Sequence, residues 1–379
     1  MDDIIKNVAS LLIPRPVIEN FFGSTESNNF DDETKCSSLK IEYPNTAAVA
    51  SLDIKKHGPE KITIYENDRK TIRKIPKKME KYKLRDFYIK TSHNCSAVGA
   101  FKKDYVDICA ILNGIKQGCR CLDFEIYSKD NKPVIATSSS KINYVKESKN
   151  HIPFFNAMKV VAENAFNAPS PCPFDPMILH FRIKSENKKI YSQIANDIET
   201  IFTDKYLLPK KYGKEYGGKN LGDVEISKLR EKIIIVIDKD NTTYESTALY
   251  KYVNMCSNTM FLRLHRNYDV TYVQDFKELI QHNKSSMSIV LPDVSADNTN
   301  INPTIPLKYG CQFVAMNLQN NDENMQYYTK FFNDYGSSFV LKERKLRKID
   351  KEIPLPPLQD EKLSYRQREQ DEQHYSFRI

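Results

Sequence analysis

From residue 84 onward, short apolar runs alternate with amphipathic segments, the pattern of a parallel sheet with crossover helices. The runs at 86–90, 120–127, 133–137, 177–183, 232–237, 260–264, 288–291 and 312–318 predict eight strands, enough to close a TIM-type (β/α)8 barrel of the α/β class. Between them, Ile108, Leu112 and Ile115 fall on one helical face, and Phe155, Met158, Val161 and Phe166 on another, both read as core contacts. The segment 210–222 is rich in Gly, Lys and Tyr without apolar periodicity and reads as a long surface loop. Residues 1–83 are polar and weakly periodic, apart from an apolar stretch from Val8 to Ile13 cut by Pro14 and Pro16. They form an expected N-terminal extension to a barrel spanning 84–345. Residues 346–379 form a charged C-terminal tail whose PLPPL stretch, with Pro354, Pro356 and Pro357, favours an extended polyproline conformation. Wrapping or disorder is the expectation there, ahead of docking on a partner.

Charge and composition narrow the function classes. Lys and Arg total 57 against 49 acidic residues, a net charge of +8 in 379 residues. That excess suits an anionic surface, yet no zinc-finger spacing, RNA-binding aromatic signature or basic zipper accompanies it, so nucleic acid is not an expected partner. Two basic runs flank the barrel: Arg73, Lys74, Lys77, Lys78, Lys81, Lys83 and Arg85 before it, and Lys342, Arg344, Lys345, Arg347 and Lys348 after it. Solvated faces are their ordinary reading, with one basic edge the alternative. Eight sparse cysteines are expected as free thiols, and Cys119 and Cys121 as packing residues. The start Met1, Asp2, Asp3 lacks the charge of a signal peptide, and no apolar run is long enough to span a bilayer. A soluble cytoplasmic protein is expected. Abundant Lys, Asn, Ile and Tyr with no Trp suit an AT-rich coding sequence, as in some protists and large DNA viruses, which adds packaging in a virion as an alternative.

Four stretches carry candidate chemistry. Residues 87–99 read FYIKTSHNCSAVG, with His93 and Asn94 adjacent, and residues 118–127 read GCRCLDFEIY, where Asp123 and Glu125 are spaced to share one face of a strand. Residues 297–303 read DNTNINP, and residues 310–342 form a third long block that opens GCQFVAMNLQ. Together they resemble the X and Y regions of the phosphoinositide-specific phospholipases C over about residues 84–345. Cys95 replaces the threonine usual after His-Asn, and the order of the two carboxylates is exchanged.

The resemblance implies a catalytic barrel from which the chemistry has been lost. Thr137 falls where the family has its second histidine, and neither it nor Ser138 to Ser140 shuttles a proton near neutral pH. Arg182 stands in place of a calcium-ligating glutamate. Its fixed charge and forked donors suit carboxylates, so it is expected to pair with Asp123 and Glu125 where other members hold calcium. Val236 and Asp238 replace two substrate-binding lysines, while Ile289 and Leu291 replace a phosphate-binding arginine and a ring-stacking tyrosine. The rim should therefore be apolar and acidic. His93, Asn94, Asp123 and Glu125 are read as relics, with no cofactor and no metal expected. Because a bacterial branch of the family uses an arginine instead of the ion, a metal-independent enzyme using His93, His180 and Arg182 is the alternative. The leading expectation is a noncatalytic structural or protein-interaction component with protein partners, followed by that divergent phosphodiesterase and by a noncleaving module for acidic lipid.

Overall fold

The computed structural model describes residues 75–140, 144–349 and 369–378. Val8 to Ile13, Arg73, Lys74 and the PLPPL stretch lie outside them. The chain divides into two compact units, Met1–Lys348 and Ile349–Ile379. The first contains β1 (Phe87–Ser92), β2 (Cys121–Lys129), β3 (Lys132–Ala136), β4 (Ile152–Pro153), β5 (Met177–Lys184), β6 (Ile233–Asp238), β7 (Met255–Ser257), β8 (Leu262–Arg266), β9 (Met287–Leu291), β10 (Phe313–Met316) and β11 (Phe339–Leu341). Eight of these form a nearly closed parallel barrel in the order β7-β6-β5-β2-β1-β10-β9-β8, with the ladder interrupted between β7 and β8.

Two differences from the sequence pattern concern the strand count. The run at 133–137 is β3, which folds back antiparallel on β2 rather than joining the barrel. Its turn places Asp130 and Asn131 at φ 52° and 59°, the left-handed pair that a two-residue hairpin requires. The eighth barrel strand is instead β7, three residues long and too short to show a period of two.

Alternation along the strands sorts side chains into two layers. Phe87, Ile89, Cys121, Ile178, Ile234, Ile289 and Phe313 belong to the apolar cluster inside the barrel. Tyr88, Leu122, Phe124, Leu179, Phe181 and Val314 pack outward with the helices α1 (Ile108–Lys116), α2 (Phe154–Asn164), α3 (Lys188–Tyr206), α4 (Phe276–Ser285) and α5 (Glu323–Tyr335). Cys119 and Cys121 therefore fall in different layers. On α2 the buried face runs through Phe154, Ala157, Met158 and Val161, leaving Phe155 exposed, against expectation. The segment 210–222 is not wholly superficial: it forms short helical turns and buries Tyr212 and Leu221 in the inner cluster. Six described cysteines are free and buried, whereas Cys109 is disulfide-bonded, which corrects the expectation of thiols throughout.

The second unit contains an antiparallel hairpin of Glu369–Glu372 with Tyr375–Arg378, so part of the charged tail has regular structure that its composition did not suggest. Among the described residues no helix is long and apolar enough to cross a membrane.

Arg120, fully buried where the chain enters β2, pins the loop that follows α2. Its Nε lies 2.9 Å from Cys172 Sγ, Nη1 donates to the Ala165 carbonyl at 2.8 Å, and Nη2 donates to Ser170 Oγ and the Cys172 carbonyl. Arg120→Met removes all four of these buried hydrogen bonds, although Ser170 Oγ and the Cys172 carbonyl still accept from the Cys172 and Asp175 N–H groups, and is expected to lower stability by about 3 kcal/mol in urea denaturation.

Candidate functional site

The parity that fills the barrel with apolar side chains at one end delivers polar ones at the C-terminal ends of the strands. Asp123 and Glu125 point inward from β2, and the parallel register sets Asp123 beside His180 and Glu125 beside Arg182 on β5. All four are buried. The Arg182 guanidinium reaches both carboxylates: Nε donates to Asp123 Oδ1 at 2.9 Å, Nη2 to Asp123 Oδ2 at 2.7 Å, and Nη1 to Glu125 Oε1 at 2.7 Å. Nη2 also donates to Asn94 Oδ1 at 2.8 Å. The remaining acceptor positions are filled as well. Asp123 Oδ2 takes the Asn94 backbone N–H at 3.0 Å, and Glu125 Oε2 takes the Tyr127 hydroxyl at 2.8 Å and the Ser138 N–H at 3.0 Å.

Burial pushes the Asp123 carboxyl upward, but the Arg182 charge and the hydrogen bonds from His180 and Arg182 outweigh it and hold the group well below the usual carboxylate range. For Arg182, burial disfavours the charge, yet the two carboxylates raise its pKa further. The pair is thus ionised together. A divalent ion at this point would have to share Asn94 Oδ1, Asp123 Oδ2 and Glu125 Oε1 with a guanidinium already within hydrogen-bond distance of each, and these residues do not fit one. Among the described residues no other group of three His, Cys, Asp or Glu is placed to hold a metal.

The two histidines flank this pair without meeting in one open cleft. His93 lies with Nδ1 2.9 Å from Asn317 Oδ1, Nε2 3.4 Å from Arg182 Nη2, and its ring edge-on to Phe101. Burial, reinforced by Arg182, lowers its pKa from 6.5 to about 3 against the pull of Asp123, so its imidazole is neutral. His180 sits deeper, with Nδ1 2.8 Å from Asp123 Oδ1 and Nε2 3.0 Å from Ser257 Oγ, which lies 3.2 Å from Asp238 Oδ1. Thr137 is fully buried just beyond β3, its hydroxyl donating to the Phe101 carbonyl at 3.0 Å.

At the mouth, the cavity bounded by His93, Asn94, Glu125, Arg182 and Ser138 measures about 20 Å³, room for roughly one water. Neither His180 nor Thr137 lines it. Val236, Ile289 and Leu291 are packed in the inner apolar cluster, and Asp238 is tied to Asn258 Nδ2 at 2.6 Å. The rim is not simply apolar and acidic, however, because Lys184 and Arg266 also line the cavity. Lys184 follows Arg182 by two positions on β5, and the same alternation that points His180 inward would have found it. Arg266 ends β8 opposite Leu291, and it follows the inward-facing Leu262 and Leu264 by the same alternation.

Comparison with known proteins agrees with this geometry. The description "Phosphatidylinositol-specific phospholipase C, X domain" matches residues 80–239 and the corresponding Y domain matches residues 236–345. The chain belongs to the phosphatidylinositol-specific phospholipase C family. Among its relatives in that family, human 1-phosphatidylinositol 4,5-bisphosphate phosphodiesterase zeta-1 is 24% identical over 70% of this chain and 50% of its own length. Human inactive phospholipase C-like protein 1 is likewise 24% identical, over 70% of this chain and 27% of its own length. The chain therefore spans half or less of these relatives. The crystal structure of PLC21 from S. officinalis superposes with a TM-score of 0.57 at 20% identity, covering 72% of this chain and 38% of that one, a likeness of fold.

Two outcomes follow for this centre. Arg182→Met strands two buried carboxylates and is expected to cost about 3–5 kcal/mol in denaturant unfolding. His93 is depressed in the folded state, so as pH falls the unfolded chain takes up the proton first, and the stability tied to this residue is lost between 6.5 and about 3. NMR titration should find the His93 imidazole neutral down to about pH 4, and His93→Gln should flatten the acid limb of the stability profile by about one proton.

Proposed function

We propose that this chain is a noncatalytic member of the phospholipase C family, a barrel kept as a structural or protein-interaction component of a macromolecular assembly. The observation that carries this reading is the Arg182 guanidinium seated among Asn94, Asp123 and Glu125. Phosphodiester cleavage by general acid and base needs two groups that exchange protons near neutral pH on either side of the phosphate. Here one candidate, His93, is neutral and enclosed, and the aligned second position is Thr137, committed to a backbone carbonyl. The mouth is too small for an inositol phosphate, since pockets for ligands of that size run to about 300 Å³ or more. A metal-independent reaction by His93, His180 and Arg182 is disfavoured by the same geometry, because His180 is spent on Asp123 and Ser257 and does not reach the mouth.

The naming of several relatives as inactive phospholipase C-like proteins is consistent with this reading. The setting we propose is an assembly in the cytoplasm or a viral particle, where protein partners rather than a small-molecule substrate define the role. Purified protein supplied with phosphatidylinositol and its bisphosphate, with and without calcium, should release no water-soluble inositol phosphate above the buffer rate. Release that depends on His93 or His180 would contradict the reading.

A further inference from the structure

Helix α5 carries two apolar faces, which a helix on the outside of a barrel does not need. One, through Met325, Tyr328 and Phe332, is buried against the barrel. The other, through Tyr327, Phe331 and Tyr335 at intervals of four, turns sideways, with Tyr327 48% and Tyr335 62% exposed. Facing it across a groove of about 630 Å³ are Phe276 and Ile280 of α4, again four apart, with Leu307, Val340 and Leu346 among the residues between them. The groove exists because the crossover from β9 to β10 contains only the five-residue helix Thr304–Lys308, so no full helix fills the space beside α4 and α5.

The border of this groove is cationic. Lys308, Lys345 and one acid, Glu343, line it, and Arg344 and Lys348, exposed in the same stretch, adjoin it. The Arg347 guanidinium lies 4.8 Å from the centre of the Tyr82 ring, and the exposed Lys81 ammonium lies 5.8 Å from the centre of the same ring. The described parts of the two basic runs that flank the barrel in sequence therefore meet at Tyr82. Glu343 is paired with Lys345 at 2.8 Å, and Glu80 with Arg230 at 2.6 Å.

Resting on the interaction role proposed above, we infer that this groove receives an amphipathic helix of a partner protein, its apolar face toward Tyr327, Phe331, Tyr335 and Phe276 and its acidic face toward Lys345 and the joined basic runs. Spacing by fours on both walls matches the period of a helical ligand, and the charge of the border selects an acidic one. The apolar groups stand on the two walls of a groove rather than on one convex face, which favours a peptide over an anionic membrane.

The test selects a displayed library of short amphipathic peptides, with acidic, neutral or basic polar faces, against the full chain. Enrichment of acidic members with apolar residues three or four apart is expected, with affinity falling at high salt. Tyr335→Glu and Lys345→Glu, both at exposed positions and checked for unchanged circular dichroism, should each weaken an enriched peptide by about tenfold or more. Selection without preference for acidic faces, or peptides bound equally by both variants, would overturn the proposal. So would a wild-type dimer that Tyr335→Glu dissociates, which assigns the groove to a second copy, or anionic-vesicle pelleting lost in Lys345→Glu, which assigns the edge to lipid. Failure here leaves the noncatalytic reading standing, whereas release of inositol phosphate would remove that reading without touching the groove.

Discussion

A guanidinium buried between two carboxylates organises the heart of this barrel. Transferring three charges out of water costs several kcal/mol each, and their attraction offsets that only when geometry is good and every remaining acceptor is satisfied. Here both conditions hold. Arg182 spans Asp123 and Glu125 with short hydrogen bonds, and Asn94, His180, Tyr127 and Ser138 take up the remaining oxygen positions. Such a network does not readily admit an ion or a substrate phosphate, because either would have to displace contacts whose loss leaves a charge unpaired in a low dielectric.

The rest of the fold makes that geometry obligatory. The β2–β5 ladder fixes Glu125 opposite Arg182 and Asp123 opposite His180, and a slip of either strand by one residue would turn its two side chains toward the outer helices. From the same register follow the neutral state of His93, enclosed beside the arginine, and the narrowness of the mouth. In the reading proposed above, this centre serves as an internal clasp, and the groove between α4 and α5 is the surface offered to a partner.

Much of this is legible in the sequence, for reasons specific to strands. A period of two shows that residues 123 and 125, and 180 and 182, share faces, and a guanidinium facing two carboxylates implies contact. The barrel itself follows from the alternation of runs. What escapes is whatever depends on short elements or on distant segments coming together. Three residues of β7 carry no period, and β3 reads as a barrel strand because a hairpin partner and a barrel partner demand the same residues. Lys184 and Arg266 were both within reach of the alternation rule, each lying two positions beyond an inward-facing residue at the end of its strand. The groove is invisible in one dimension, since its walls are fifty residues apart and its existence depends on a helix that the chain does not form.

The central claim is that the arginine, not an ion, holds the two carboxylates together. The most direct measurement is a crystal structure grown in excess manganese, a calcium substitute with an anomalous signal, together with a soluble inositol phosphate. The account predicts the Arg182 guanidinium between Asn94, Asp123 and Glu125, with no anomalous peak among them. A peak coordinated by those three residues, with Arg182 swung away and the phosphate bound in an open mouth, would contradict it.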